Sequence, residues 1–204
     1  RNTYYEGYFL SSNITHHIAR CLDQDSRLVY AYYDGIDKVG HIHGTGHFYD
    51  AEIALVDYLI GQIYKMLPSG TALIVTSDHG MVDVGDSIIR INDSIMQRTD
   101  TISGEARFLW FHPARGNHDS LLQDLQDLYS NCAWVRSKDQ VLDEGWFGKH
   151  ISNQAKERLG EIALLARDPI AFVDKENLGP RLVGRHGSLT EAEVYVPLIT
   201  SFKD

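Results

Sequence analysis

The chain has 204 residues, 43% hydrophobic and 23% charged, so it can bury a substantial core without disulfide help. Its formal net charge of −9 repels a polyanion on average, and a groove for polymeric nucleic acid is not expected. Small phosphate substrates stay compatible with that charge, because bound divalent cations reverse the field locally.

In chain order, residues 4–22 predict a helix with a mixed face. "RLVYAYYD" (27–34) predicts a strand, with β-branched and aromatic residues ahead of turn residues. "DGIDKVGHIHGTGH" (34–47) is rich in glycine and reads as a loop carrying His41, His43 and His47. A helix follows over 47–67, its apolar residues Ile53, Val56, Leu59, Ile60, Ile63 and Leu67 recurring at helical spacing. "TALIVTSD" (71–78) is a continuous apolar run with a polar tip, the pattern of a buried parallel strand. Further on, "ARFLWFH" and "CAWVRS" predict strands flanking the helix "DSLLQDLQDLYS", and "EIALLARD" and "AFVD" predict short strands of a hairpin. "LTEAEVYVPLIT" offers a Thr190 N-cap with Glu193 closing a capping box, then a last strand. Strand–helix–strand order with apolar strands predicts an α/β sheet covered on both faces, in one domain over 1–204. No apolar run approaches the roughly 20 residues of a membrane-crossing helix. Cys21 and Cys132 fit neither CxxC nor zinc-ribbon spacing and read as buried free thiols.

Functional groups in such sheets gather where strands end. Asp37 and His41 stand four residues apart just after the first predicted strand. Asp78 and His79 sit at the tip of the second, where Gly80 lets the chain turn away. Aspartate oxygen and histidine nitrogen are standard ligands of zinc and similar ions. Either pair alone is an ordinary loop feature; two pairs on successive strand–helix units point to a metal site. His186, between Arg185 and Gly187, opens the segment leading to the last strand.

The strings "YAYYDGIDKVGHIHG", "ALIVTSDHGMVDV" and "GRHGSLTEAEVYVPLI" together resemble the alkaline phosphatase superfamily, in its nucleotide pyrophosphatase/type I phosphodiesterase branch. The resemblance implies a doubly wound α/β sandwich with two divalent metal ions, usually zinc, at the strand ends. It implies that Asp37, His41 and His186 ligate one ion, and that Asp78 and His79 supply two ligands of the other. In the family a further Asp and a nucleophilic Thr or Ser precede the segment held here by Asp37. The hydroxyls ahead of Asp37 (Thr3, Ser11, Ser12, Thr15 and Ser26) match no such turn. The chain therefore resembles the C-terminal portion of the fold, with the N-terminal strands and the nucleophile segment missing. The function implied is metal-dependent hydrolysis of phosphodiester or nucleotide pyrophosphate bonds by the longer enzyme, this chain alone being inactive.

Candidate substrate contacts are Arg107, suited to bidentate phosphate binding, the exposed pair Trp146 and Phe147 in "GWFG", and His43. The plainer readings are an ion pair for Arg107 and a packing anchor for the two aromatics. Asp34 is a candidate partner of the first ligand pair. The partner expected is a small phosphodiester or nucleotide, and an open sheet edge would invite a second copy of the chain. Two rival functions stand beside this one. The first is another chemistry of the superfamily: phosphomonoester, sulfate or phosphonate hydrolysis. The second is a non-catalytic metal-binding domain.

Overall fold

The computed structural model describes residues 3–24, 26–174 and 181–204. In chain order its elements are α1 (Ile14–Asp23), α2 (Gly35–His43), α3 (His47–Met66), β1 (Ala72–Thr76), β2 (Val82–Asp83) and β3 (Ile88–Arg90). There follow α4 (Asp93–Met96), β4 (Thr99–Glu105), β5 (Phe108–Pro113), α5 (His118–Tyr129), β6 (Ala133–Ser137), α6 (Lys138–Asp143) and α7 (Asn153–Lys156). The last are β7 (Ile162–Ala166), β8 (Ala171–Val173), β9 (Gly184–Arg185), α8 (Glu191–Val194) and β10 (Leu198–Phe202). The chain divides into two compact units, Arg1–Ser77 with Pro197–Asp204, and Asp78–Val196.

In the first unit, Ile14 and Ile18 of α1 pack with Leu59 of α3 into a small core that Val29, Tyr33 and Ile63 flank. The expected helix over 4–22 begins only at Ile14, after a short 3-10 turn at Ser11–Asn13. The histidine segment, expected as a loop, is helical as α2. Asp37 in its first turn and His41 and His43 in its last suit the helix dipole, and Gly44 ends it at φ 72°. Residues 27–34, expected as a strand, form no ladder among the described residues, and Leu28 and Tyr30 are exposed. A β-rich composition does not make a strand where no partner pairs with its backbone. β1 departs from the buried parallel strand expected. It pairs antiparallel with β10, from Ala72↔Phe202 to Thr76↔Leu198, and its residues alternate between exposed and half-buried.

The second unit holds a four-stranded antiparallel sheet in the order β4-β5-β7-β6. Strand side chains alternate between faces. Leu109, Phe111, Ala133, Val135, Ile162 and Leu164 face the main core with Leu121, Leu125 and Tyr129 of α5. Trp110, Ala163 and Leu165 face a smaller core with Val141 of α6. β7 is therefore buried along its whole length, and the doubly covered sheet expected from apolar strands is present here. Complete burial of Leu121 or Leu125 contributes about 1.5–3 kcal/mol each. β7 and β8 are not a hairpin, because β8 instead runs parallel to β3. Cys132 is buried and Cys21 half-buried, both as free thiols. No helix among the described residues is long and apolar enough to cross a membrane.

Candidate metal centre

In the first unit, spacing does the positioning. Residues four apart on a helix lie one above the other. Along α2 this brings His41 Nε2 to 3.3 Å from Asp37 Oδ1, both side chains largely covered. Asp34 is drawn to Lys38, 2.6 Å away, rather than to the ligand pair. His43, expected to touch substrate, stacks on Phe48 with ring centroids 4.2 Å apart.

In the second unit the positioning is tertiary. His79 lies three residues before β2, and His186 follows β9 directly. β2 and β9 pair antiparallel through Val82↔Arg185 and Asp83↔Gly184. That ladder brings the two histidines together: their rings stack with centroids 3.5 Å apart and planes 12° from parallel. His79 Nδ1 lies 2.8 Å from the Gly80 carbonyl, which can only accept. In the neutral ring the proton is therefore on Nδ1 and the lone pair on Nε2. Asp78 Oδ1 is 3.7 Å from that Nε2.

The segment also explains Gly80. A Cβ there would lie 2.0 Å from the carbonyl oxygen of Ala192, so glycine is needed for close approach to α8 rather than for turning away. Gly80 N–H donates to the Glu193 carbonyl at 2.8 Å. Gly187, just past His186, sits at φ 119°, a backbone region that favours glycine.

Arg107 is not a phosphate contact. Its side chain is fully buried and all five N–H donors are engaged. Nε and Nη2 grip the two Glu193 oxygens at 2.7 Å each, and the rest reach the carbonyls of Asp168, Ile170 and Ala166. Nor is it a surface ion pair, since Glu193 is buried too. Glu193 does not close the expected capping box. Its carboxylate accepts from Ser188 N–H and the Thr190 hydroxyl, and Thr190 makes no side-chain cap. Burial alone would raise the Glu193 pKa. Hydrogen bonds from Arg107, Thr190 and Ser188 outweigh that and hold it below its ordinary value. The S/T-x-x-E spacing singled out Glu193 in the sequence, but as a local cap; its role across the fold left no local signal.

Trp146 and Phe147 both make packing contacts. Trp146 packs on the smaller core, edge-on to Phe108, and donates to Glu144 Oε2 at 2.8 Å. Phe147 stacks over Trp110. The packing-anchor reading is the one their contacts match. Arg185 is half-buried, and burial pushes its guanidinium below the ordinary value, with Glu105 opposing.

The donor set of the second unit fits a divalent metal. A ring nitrogen of His79 and one of His186 lie within 4.8 Å of each other. Zinc–nitrogen bonds are about 2.0–2.1 Å, so this spacing suits one shared ion or two neighbouring ones. A histidine that gives its other ring N–H to a backbone carbonyl is also the usual state of a metal ligand.

Murine ectonucleotide pyrophosphatase/phosphodiesterase 5 superposes with a TM-score of 0.77 at 21% identity, covering 97% of this chain and 54% of that one. Phosphonoacetate hydrolase from Sinorhizobium meliloti 1021 superposes with a TM-score of 0.67 at 15% identity, covering 92% and 49%. These likenesses show the alkaline-phosphatase-like fold, of which this chain spans about half the length seen in those neighbours. GPI ethanolamine phosphate transferase 2 of Kluyveromyces lactis is 31% identical over 77 residues, 36% of this chain and 10% of that protein. The family model of type I phosphodiesterase/nucleotide pyrophosphatase matches residues 7–189, and the chain belongs to that family.

Proposed function

We propose that residues 1–204 are the C-terminal portion of a catalytic domain that hydrolyses phosphodiester or nucleotide pyrophosphate bonds with two divalent metals, zinc by preference. The observation that carries this reading is the stacked pair His79 and His186, with His79 fixed in the tautomer that leaves Nε2 as the ligand atom. Asp37, His41 and His186 would hold one ion; Asp78 and His79 would hold the other. Bound there, the metals would supply Lewis-acid stabilisation of the charge that builds on the oxygens around phosphorus. The chain's own residues set the ligand geometry. Gly80 lets the His79 segment press against α8, and the β2–β9 ladder keeps His186 beside it. The nucleophilic Thr or Ser and a further Asp would come from outside these residues, so the isolated chain binds metal without turnover.

The test is an assay of the whole protein with zinc on nitrophenyl esters of a nucleotide, of phosphate and of sulfate. The nucleotide ester is expected to be cleaved fastest. Preference for the phosphate or sulfate ester would move the protein to another chemistry of the superfamily. No turnover of any ester by the whole protein would favour a non-catalytic metal-binding domain.

The similarity to GPI ethanolamine phosphate transferase 2 favours a second reading, in which the phosphoryl group passes to an alcohol instead of water. Adding an alcohol acceptor to the nucleotide-ester assay separates the two. Hydrolysis leaves free phosphate ester whatever the acceptor, whereas transfer yields a phosphodiester of the acceptor.

A further inference from the structure

We infer that Glu193, locked by Arg107, is a positioning residue that holds both histidines of the candidate metal centre; the inference rests on the metal-binding reading above. An ionised carboxylate has about four acceptor sites. In Glu193 all are engaged: Oε1 by Arg107 Nε and Ser188 N–H, Oε2 by Arg107 Nη2 and the Thr190 hydroxyl. The same residue's main-chain carbonyl accepts Gly80 N–H at 2.8 Å. Ser188 is two residues beyond His186, and Gly80 is the residue after His79. One residue of α8 therefore ties down both histidine segments, and its side chain is only 1% exposed. Ser188 is held a second time, its hydroxyl donating to Ala166 O at 2.6 Å. A buried ion pair serving stability alone is often replaceable by apolar residues. An apolar residue at 193 could not accept the Ser188 N–H, which is the bond that reaches the ligand segment.

The test is zinc calorimetry on the whole chain, with folding checked by circular dichroism. His79→Ala and His186→Ala test the metal reading itself: unchanged zinc affinity in both sinks that reading and, with it, this inference. If both lose affinity, the positioning role is judged separately. Glu193→Ala is expected to weaken zinc binding at least tenfold. Glu193→Gln, which keeps an acceptor for Ser188, should weaken it less, and Thr190→Val least. Leu121→Ala, in the main core and away from the histidine segments, is the control for lost stability and should stay within twofold. If Glu193→Ala does not fold, Glu193→Gln and Thr190→Val decide by the same order against Leu121→Ala. Affinity within twofold of wild type in the folded Glu193 variants would overturn the inference. So would an equal loss in Leu121→Ala.

Discussion

The two ligand pairs are held by different physics. Asp37 and His41 meet because they are four residues apart on one helix, at 3.3 Å. His79 and His186 are more than a hundred residues apart and meet through a two-residue ladder, braced by a buried ion pair between Arg107 and Glu193. A local pair survives most changes elsewhere in the fold. A tertiary pair depends on every bond in its brace, so damage far from the histidines reaches them.

The sharpest way to break this contrast is Arg107→Met. It leaves the Glu193 carboxylate buried without its partner, and a loss of about 3–5 kcal/mol is expected in urea denaturation. The spacing of Asp37 and His41, by contrast, is set within α2 itself. Gly80→Ala comes next: its Cβ meets the Ala192 backbone oxygen, which no rotamer change relieves. Forced displacement of this kind costs about 1–3 kcal/mol, read by thermal or urea unfolding, and should weaken zinc binding as well.

Acid exposes the brace by titration. The Glu193 pKa lies below its ordinary value in the folded chain, so the unfolded chain takes up the proton first. The stabilisation is complete above the ordinary carboxylate range, near pH 4.3, and is lost as pH falls through the lowered value. Denaturation from neutral pH into acid should show this step in the wild type and lose it in Glu193→Gln. The smallest effect on stability belongs to the local pair. His41→Ala removes a helix-spaced contact that contributes under about 0.5 kcal/mol, so the midpoint of unfolding should barely move.

How much of this was readable in the sequence follows the same division. The i, i+4 spacing of Asp37 and His41 is visible in the sequence, although the glycines around it mask the helix that carries it. The apolar strands of the second unit declared themselves, since β7 is buried on both faces and reads as an unbroken apolar run. The motifs around His79 and His186 mark each histidine, but only the β2–β9 ladder brings them together. For Arg107 the sequence offers a phosphate contact or a surface ion pair, and for Glu193 a capping box; the structure has the two in one buried ion pair. A local window cannot show that two residues 86 positions apart are partners. The strand expected over 27–34 failed for a related reason: pairing needs a neighbour, and composition does not report one.

Metal binding by these pairs is measured by calorimetric zinc titration of the wild type beside His41→Ala. Tight binding is expected in the wild type, and a clear loss of affinity or stoichiometry in the variant, with its fold intact. Unchanged stoichiometry and affinity in His41→Ala would contradict it.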